Sequence, residues 1–214
     1  MAGKFPYLRK EKLEAAANDL LDEFASKNGL PLVAPIPVED ILEKHLGLTL
    51  EIDDLSARLK KKHVLGAICI DENLVLIDES LLGQEGRYAF TIAHEIGHWQ
   101  LHRQIFLLER EMPTLFDDEK PPSIVCRDGA KAPEEFQANT FAAALLMPRQ
   151  LMLEFFRRLS SDGPLDATVD QRAGYEGACW MIEQGGFTNC SKEAMQIRMK
   201  ELGMVTCSGQ QRLL

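Results

Sequence analysis

The stretch Ala93-His94-Glu95-Ile96-Gly97-His98 constrains this chain more than any other. Phe90, Ala93, Ile96, Gly97 and Leu101 surround the two histidines with apolar or small residues, which predicts a buried helix. Residues four apart on a helix lie one turn above one another, about 6 Å along the axis. His94 and His98 therefore share a face and can close on one metal ion. Buried imidazoles need polar partners, and an ion supplies one to both. Two imidazoles, a third protein ligand and an open position describe catalytic zinc, whereas structural zinc is closed, usually by cysteines. Glu95 points about a quarter turn away, within reach of a water on the metal. Zinc lowers the pKa of such a water from about 15.7 to about 7, and a glutamate can take its proton as it attacks a carbonyl. H-E-x-x-H has only three fixed positions, so its apolar setting carries much of the argument.

The third ligand must come from elsewhere in the chain. His102 continues the spacing one turn beyond His98, as a contact to a substrate carbonyl or as a solvent-facing residue near the site. It is disfavoured as a ligand, because the extended pattern of one peptidase group would need glycine at Leu101 and histidine at Gln104. A second helical period returns over residues 134–148, with an acidic start and an apolar body. Glu135 and Asn139 are four apart on it and share a face, so one can bind metal while the other hydrogen-bonds a ligand histidine and fixes its ring. Glu134 is the rival ligand. Either acid can also simply favour the helix N-terminus electrostatically.

Around these two helices the chain predicts a mixed α+β fold. Leu13, Ala16, Ala17, Leu20, Leu21 and Phe24 recur at helical spacing, with Gly29 as the stop. Prolines 31, 35 and 37 mark an extended link. Val38 to Leu46 reads as a short helix ended by Gly47; His45 within it lacks a metal-spaced partner and is expected at the surface. Leu48 to Ile52 reads as a strand. Val64 to Ile70 and Leu74 to Ile77 form a hairpin around Asp71-Glu72-Asn73. The second of these runs is either a plain sheet strand or, by analogy with other zinc peptidases, an edge that pairs with extended substrate. The metal helix is expected from near Arg87 to about Phe106. Residues 107–133 show no sustained period and carry a cluster of acids and Pro121-Pro122, a candidate lid. Cys126 there is a small thiol by default, with metal contact as the alternative. After Pro148 come a further helix, a linker at residues 160–164, and two short helices around Gly185-Gly186, the second capped by Ser191. Trp180, Met181 and Met195 are expected in the core. The expected division is a metallopeptidase domain over 1–160 and a C-terminal helical, helix-turn-helix-like unit over 161–214.

Composition excludes several classes. The net charge is −9, which opposes broad attraction to nucleic acid or anionic membrane. Lys60-Lys61-Lys62-His63 is a basic run of the kind that lies on a solvated turn. The 5 cysteines are an odd number without a C-x-x-C pair, so neither a disulfide scaffold nor a cysteine zinc cluster is expected. No signal-like leader and no membrane-length apolar run is legible, so the expected location is cytoplasmic.

His94-Glu95-Ile96-Gly97-His98, followed by Trp99-Gln100-Leu101-His102 and preceded by Phe90-Thr91-Ile92-Ala93, resembles the ImmA/IrrE family of metallopeptidases. Ala138-Asn139-Thr140-Phe141-Ala142 and Leu145-Leu146-Met147-Pro148 resemble that family's second signature. The resemblance covers residues 35–160 best and extends to the run 191–198; the 107–133 segment is longer than the family's usual spacing. It implies a zincin-like domain of gluzincin type, with a small twisted sheet and active-site helices, two histidines and a glutamate on zinc. It also implies a substrate class, helix-turn-helix repressors of prophages, mobile elements or stress regulons.

The expectation is a zinc endopeptidase of narrow specificity. His94, His98 and Glu135 hold the metal, Glu95 activates water and protonates the leaving amine, and Asn139 supports a ligand. His102 and Tyr88 are the candidate oxyanion or substrate contacts. The alternative is a regulator that binds and sequesters a transcription factor without cleaving it. Direct DNA binding by the C-terminal helices is disfavoured, because Lys192, Arg198 and Lys200 are offset by Glu193 and Glu201.

Overall fold

Apolar residues at helical spacing build the first element, α1 (Lys10–Asn28), which buries Leu13, Ala17, Leu20 and Leu21 and stops at Gly29 with φ 64°. A computed structural model describes this chain over residues 5–29, 31–110, 124–127, 132–160, 163–166 and 172–206. The short helix α2 (Val38–Asp40) runs on as a π-helical turn, Ile41–His45, and leads to strand β1 (Thr49–Asp53). Helix α3 (Leu55–Leu59) is capped by the Asp54 side chain, which accepts from the Ala57 amide. The hairpin β2 (Val64–Cys69) and β3 (Leu74–Asp78) follows. Helix α4 (Glu85–Arg110) is longer at both ends than its apolar spacing predicts.

The long segment expected to lack regular structure holds a strand, β4 (Ile124–Arg127). Four residues are too few to show a period, and their pairing decides them. β4 runs antiparallel beside β2, and a register shift between Val64 and Gly66 bulges β2 at that point. The other proposed features of the segment, a lid over the site and a metal-reaching Cys126 thiol, lie outside the described residues and side chains.

The sheet order is β1-β3-β2-β4, with β1 parallel to β3 and the other pairs antiparallel. β3 is thus an interior strand with both sides paired, and it offers no edge to a substrate. That corrects the strand-addition reading in favour of the plain one. Alternation along β2 and β3 divides the two faces. Ile68, Val75 and Ile77 join the large core under the helices, while Val64, Ala67, Leu74 and Leu76 form a small cluster with Leu55 of α3.

Helix α5 (Pro133–Leu146) packs against both α4 and α1, and α6 (Arg149–Leu159) turns off it at Pro148. Strand β5 (Leu165–Asp166), helices α7 (Ala173–Glu183) and α8 (Lys192–Glu201), and strand β6 (Val205–Thr206) complete the described chain. Ser191 caps α8, accepting from the Ala194 amide at 3.1 Å. The C-terminal helices share the main core: Ala178, Met181, Met195 and Met199 are fully buried in it, with Trp180 packed at its margin. Arg198, one of the few cations of the C-terminal helices, is only 1% exposed. It bonds the Met147 carbonyl at 3.2 Å and the Glu14 carboxylate at 2.6 Å, pinning α8 to α1 and to the α5–α6 corner. Among the described residues, no helix is long and apolar enough to cross a membrane.

Candidate metal centre

The crossing of α4 and α5 is close because its contact residues are small. A side chain on Gly97 would lie 3.2 Å from both the Cα and the carbonyl oxygen of Ala138. That approach carries the first turns of α5 over the histidine face of α4. His94 Nε2 and His98 Nε2 are 3.0 Å apart; Glu135 places Oε2 3.2 Å from the first and Oε1 3.5 Å from the second. Ligands held about 2.0–2.1 Å from a tetrahedral ion stand about 3.3–3.4 Å from one another. The three side chains are buried, their donor atoms all fall within 4.8 Å, and the group can hold a metal ion. Glu134, one residue earlier on α5, does not belong to it.

The electrostatics of the trio are those of two imidazoles around one carboxylate. Burial would raise the Glu135 pKa, but the imidazoles of His94 and His98 beside it hold it down at about 2. Burial lowers His98 to about 4, against the pull of the Glu135 carboxylate beside it and with the help of the His94 charge. Burial opposes protonation of His94 as well. There the Glu135 bond and the charges of Glu95 and Glu135 prevail, and its pKa is raised. A metal bound there would compete with protons for the same ring nitrogens.

Each ring has a partner on its far nitrogen. His94 Nδ1 lies 2.9 Å from Asn139 Oδ1, an amide oxygen that can only accept. His94 therefore donates from Nδ1 and keeps the Nε2 lone pair for the ion. His98 Nδ1 lies 2.9 Å from His102 Nδ1, and His102 Nε2 lies 3.1 Å from Gln137 Oε1. His102 is thus 1% exposed, with both nitrogens engaged inside the protein, and it does not face solvent. Burial lowers its pKa. Its ring meets Phe5 edge-on at 5.0 Å. Tyr88 is turned toward α2: burial first, then a hydrogen bond to Glu39 and the charges of Glu39 and Glu43, push its hydroxyl pKa upward. His45, expected at the surface, is half-buried, with Nε2 3.7 Å from Glu23 and its ring edge-on to Phe24.

Glu95 is fully buried on the side of α4 that meets the sheet. A Cβ placed on Gly66 of β2 would lie 2.3 Å from Glu95 Oε1 and 2.9 Å from Thr91 Cγ2. Only a residue without a side chain admits the carboxylate there. Gly66 is therefore a site residue that the motif does not announce, although a lone glycine inside a strand pattern signals either a bulge or a close approach, and here both occur. Gln137 is a second such residue; a buried glutamine two positions from a ligand left no sequence signal.

No family model and no curated protein matches this chain.

Proposed function

We propose that this chain is a zinc-dependent endopeptidase of the ImmA/IrrE type that cleaves a helix-turn-helix transcriptional repressor. The observation that carries the proposal is the meeting of His94, His98 and Glu135 donor atoms within 4.8 Å in a buried setting, with a second carboxylate one residue along α4. Two imidazoles and one carboxylate match the three protein ligands of catalytic zinc in peptidases of the kind the sequence resembles. Zinc held there would polarise a peptide carbonyl and lower the pKa of a water from about 15.7 to about 7.

The chain's own residues supply the rest. Peptide hydrolysis needs a base for the attacking water and an acid for the leaving amine. Glu95 does both: it takes the proton as the carbon–oxygen bond forms and hands it to nitrogen as the carbon–nitrogen bond breaks. Burial against Gly66 restrains the carboxylate, and a held acid is oriented at less entropic cost than a free one. Asn139 orients His94. Neither His102 nor Tyr88 has an oxyanion role in this reading, because both are committed to other partners. The repressor substrate rests on the sequence resemblance alone.

The test is metal analysis followed by incubation with the repressor encoded beside the gene. One zinc per chain and discrete fragments are expected from the wild type. Glu95→Gln should retain the zinc and lose about 10²–10⁴ in cleavage rate. Undiminished cleavage by that variant removes the mechanism, and tight association without fragments replaces the peptidase by a sequestering protein.

A further inference from the structure

The far side of His98 ends in an atom that can only accept. Gln137 Nε2 lies 2.8 Å from the backbone carbonyl of Pro6, across 131 residues of chain. A carbonyl oxygen has no proton to give, so the amide must turn its NH₂ toward Pro6 and its oxygen toward His102. That oxygen is also an acceptor, so His102 must carry its proton on Nε2, 3.1 Å away. A neutral ring with a proton on Nε2 has a bare Nδ1. Phe5, itself packed on Phe106, meets the His102 ring edge-on at 5.0 Å, and only 1% of His102 is exposed. For a neutral His102 ring, the next contact, Nδ1 to Nδ1 at 2.9 Å, has one solution: His98 donates.

We infer that Pro6, Gln137 and His102 form a one-way hydrogen-bond relay that fixes His98 with its proton on Nδ1 and its lone pair on Nε2, facing the metal position. Each link excludes the opposite orientation of the one before it. Reversing the relay would set two carbonyl oxygens against each other at 2.8 Å. His102 is thereby a positioning residue, acting on the ion only through His98, and the N-terminal segment at Phe5-Pro6 belongs to the metal centre. His94 reaches the same tautomer by one bond to an exposed asparagine, so the two ligand rings are set by independent devices.

The relay's effect on metal rests on the zinc reading above, so the first measurement is one that needs no metal. Long-range ¹H–¹⁵N correlation of histidine rings in chelator-treated protein should show His98 protonated at Nδ1 and His102 at Nε2. An Nε2–H tautomer at His98 overturns the inference. The second measurement is zinc affinity by chelator competition. In His102→Asn the side-chain oxygen stands about where Nδ1 stood and can accept from His98, so this variant should keep the wild-type affinity. His102→Gln fills more of the space but leaves no acceptor there, and its affinity should fall about 10–100-fold. Equal losses in the two variants would mean packing and not the acceptor, and would overturn the relay's role. Wild-type protein that takes up no zinc, yet shows the expected tautomers, would sink the metal reading and leave the relay standing.

Discussion

Helix α4 presents His94 and His98 to α5 on one side and Glu95 to strand β2 on the other, and the two sides are built differently. Toward α5 the approach is set by Gly97 against Ala138, and the polar atoms are matched: ring to carboxylate, ring to amide, ring to ring. Toward β2 the approach is set by Gly66, and a carboxylate is pressed against a strand backbone. The first side is a place to hold a cation. The second holds a buried carboxylate in place. Because different contacts make them, the proposed metal binding and cleavage should be separable by mutation, although adjacent residues of one helix would serve the two tasks.

Glu135→Gln should give the largest effect on the α5 side. It removes the charge and leaves two buried rings sharing a neutral amide. Zinc affinity should fall by more than the about 10–100-fold that an outer-shell partner costs, and equilibrium dialysis measures it. A variant that keeps its zinc would shift the third ligand to another group and end the division drawn between the two sides. Gly66→Ala tests the β2 side. Its Cβ would meet Glu95 Oε1 at 2.3 Å, so the carboxylate must move by an ångström or so, and a displacement of that size costs about 10²-fold in rate. Zinc content should not change. Parallel loss of zinc and activity in this variant would show that the two sides are not independent.

The smallest effect is on the pH profile of the metal-free protein, and it belongs to the α5 side alone. His98 falls from its ordinary 6.5 to about 4 on folding, so between those values the unfolded chain binds the extra proton and stability drops as pH falls. Glu135, lowered from 4.5 to about 2, continues the loss below pH 4.5. His94 is raised, so its contribution is fully present below about 6.5 and is lost as pH climbs through its folded pKa. Urea midpoints of chelated protein should therefore peak near pH 6.5, since a tenfold change in proton affinity on folding corresponds to about 1.4 kcal/mol. Glu135→Gln should flatten the peak and Gly66→Ala should not.

Much of the centre is legible because it is local. His94 and His98 share a face through helix geometry alone, and the Glu135–Asn139 pair repeats the same spacing on α5. The small residues Gly97 and Ala138 could be read as permitting a close crossing only once the two helices are known to meet. His102 illustrates the opposite case. Its spacing is as regular as that of His94 and His98, yet its ring bonds His98 and Gln137 inside the protein, because its surroundings come from α5 and from Phe5 as well as from its own helix. β4 is illegible for a similar reason: four residues acquire their identity from β2. Arg198 reads as one of a few cations on a short helix, and becomes a buried clasp only when α1 and the α5–α6 corner close around it.

Covalent spacing and helical pitch thus determined that two imidazoles would stand together, with a carboxylate beside them, since those relations hold within about one turn of chain. Tertiary packing alone decided that Glu135 and not Glu134 completes the trio. A single residue along a helix rotates a side chain by about 100°, and nothing in the local sequence states which direction faces a helix about 40 residues away. It also decided that Gly66 admits Glu95, and that a proline carbonyl near the N-terminus sets the proton on His98. Such hydrogen bonds and close approaches join segments that are neighbours only after the core has formed.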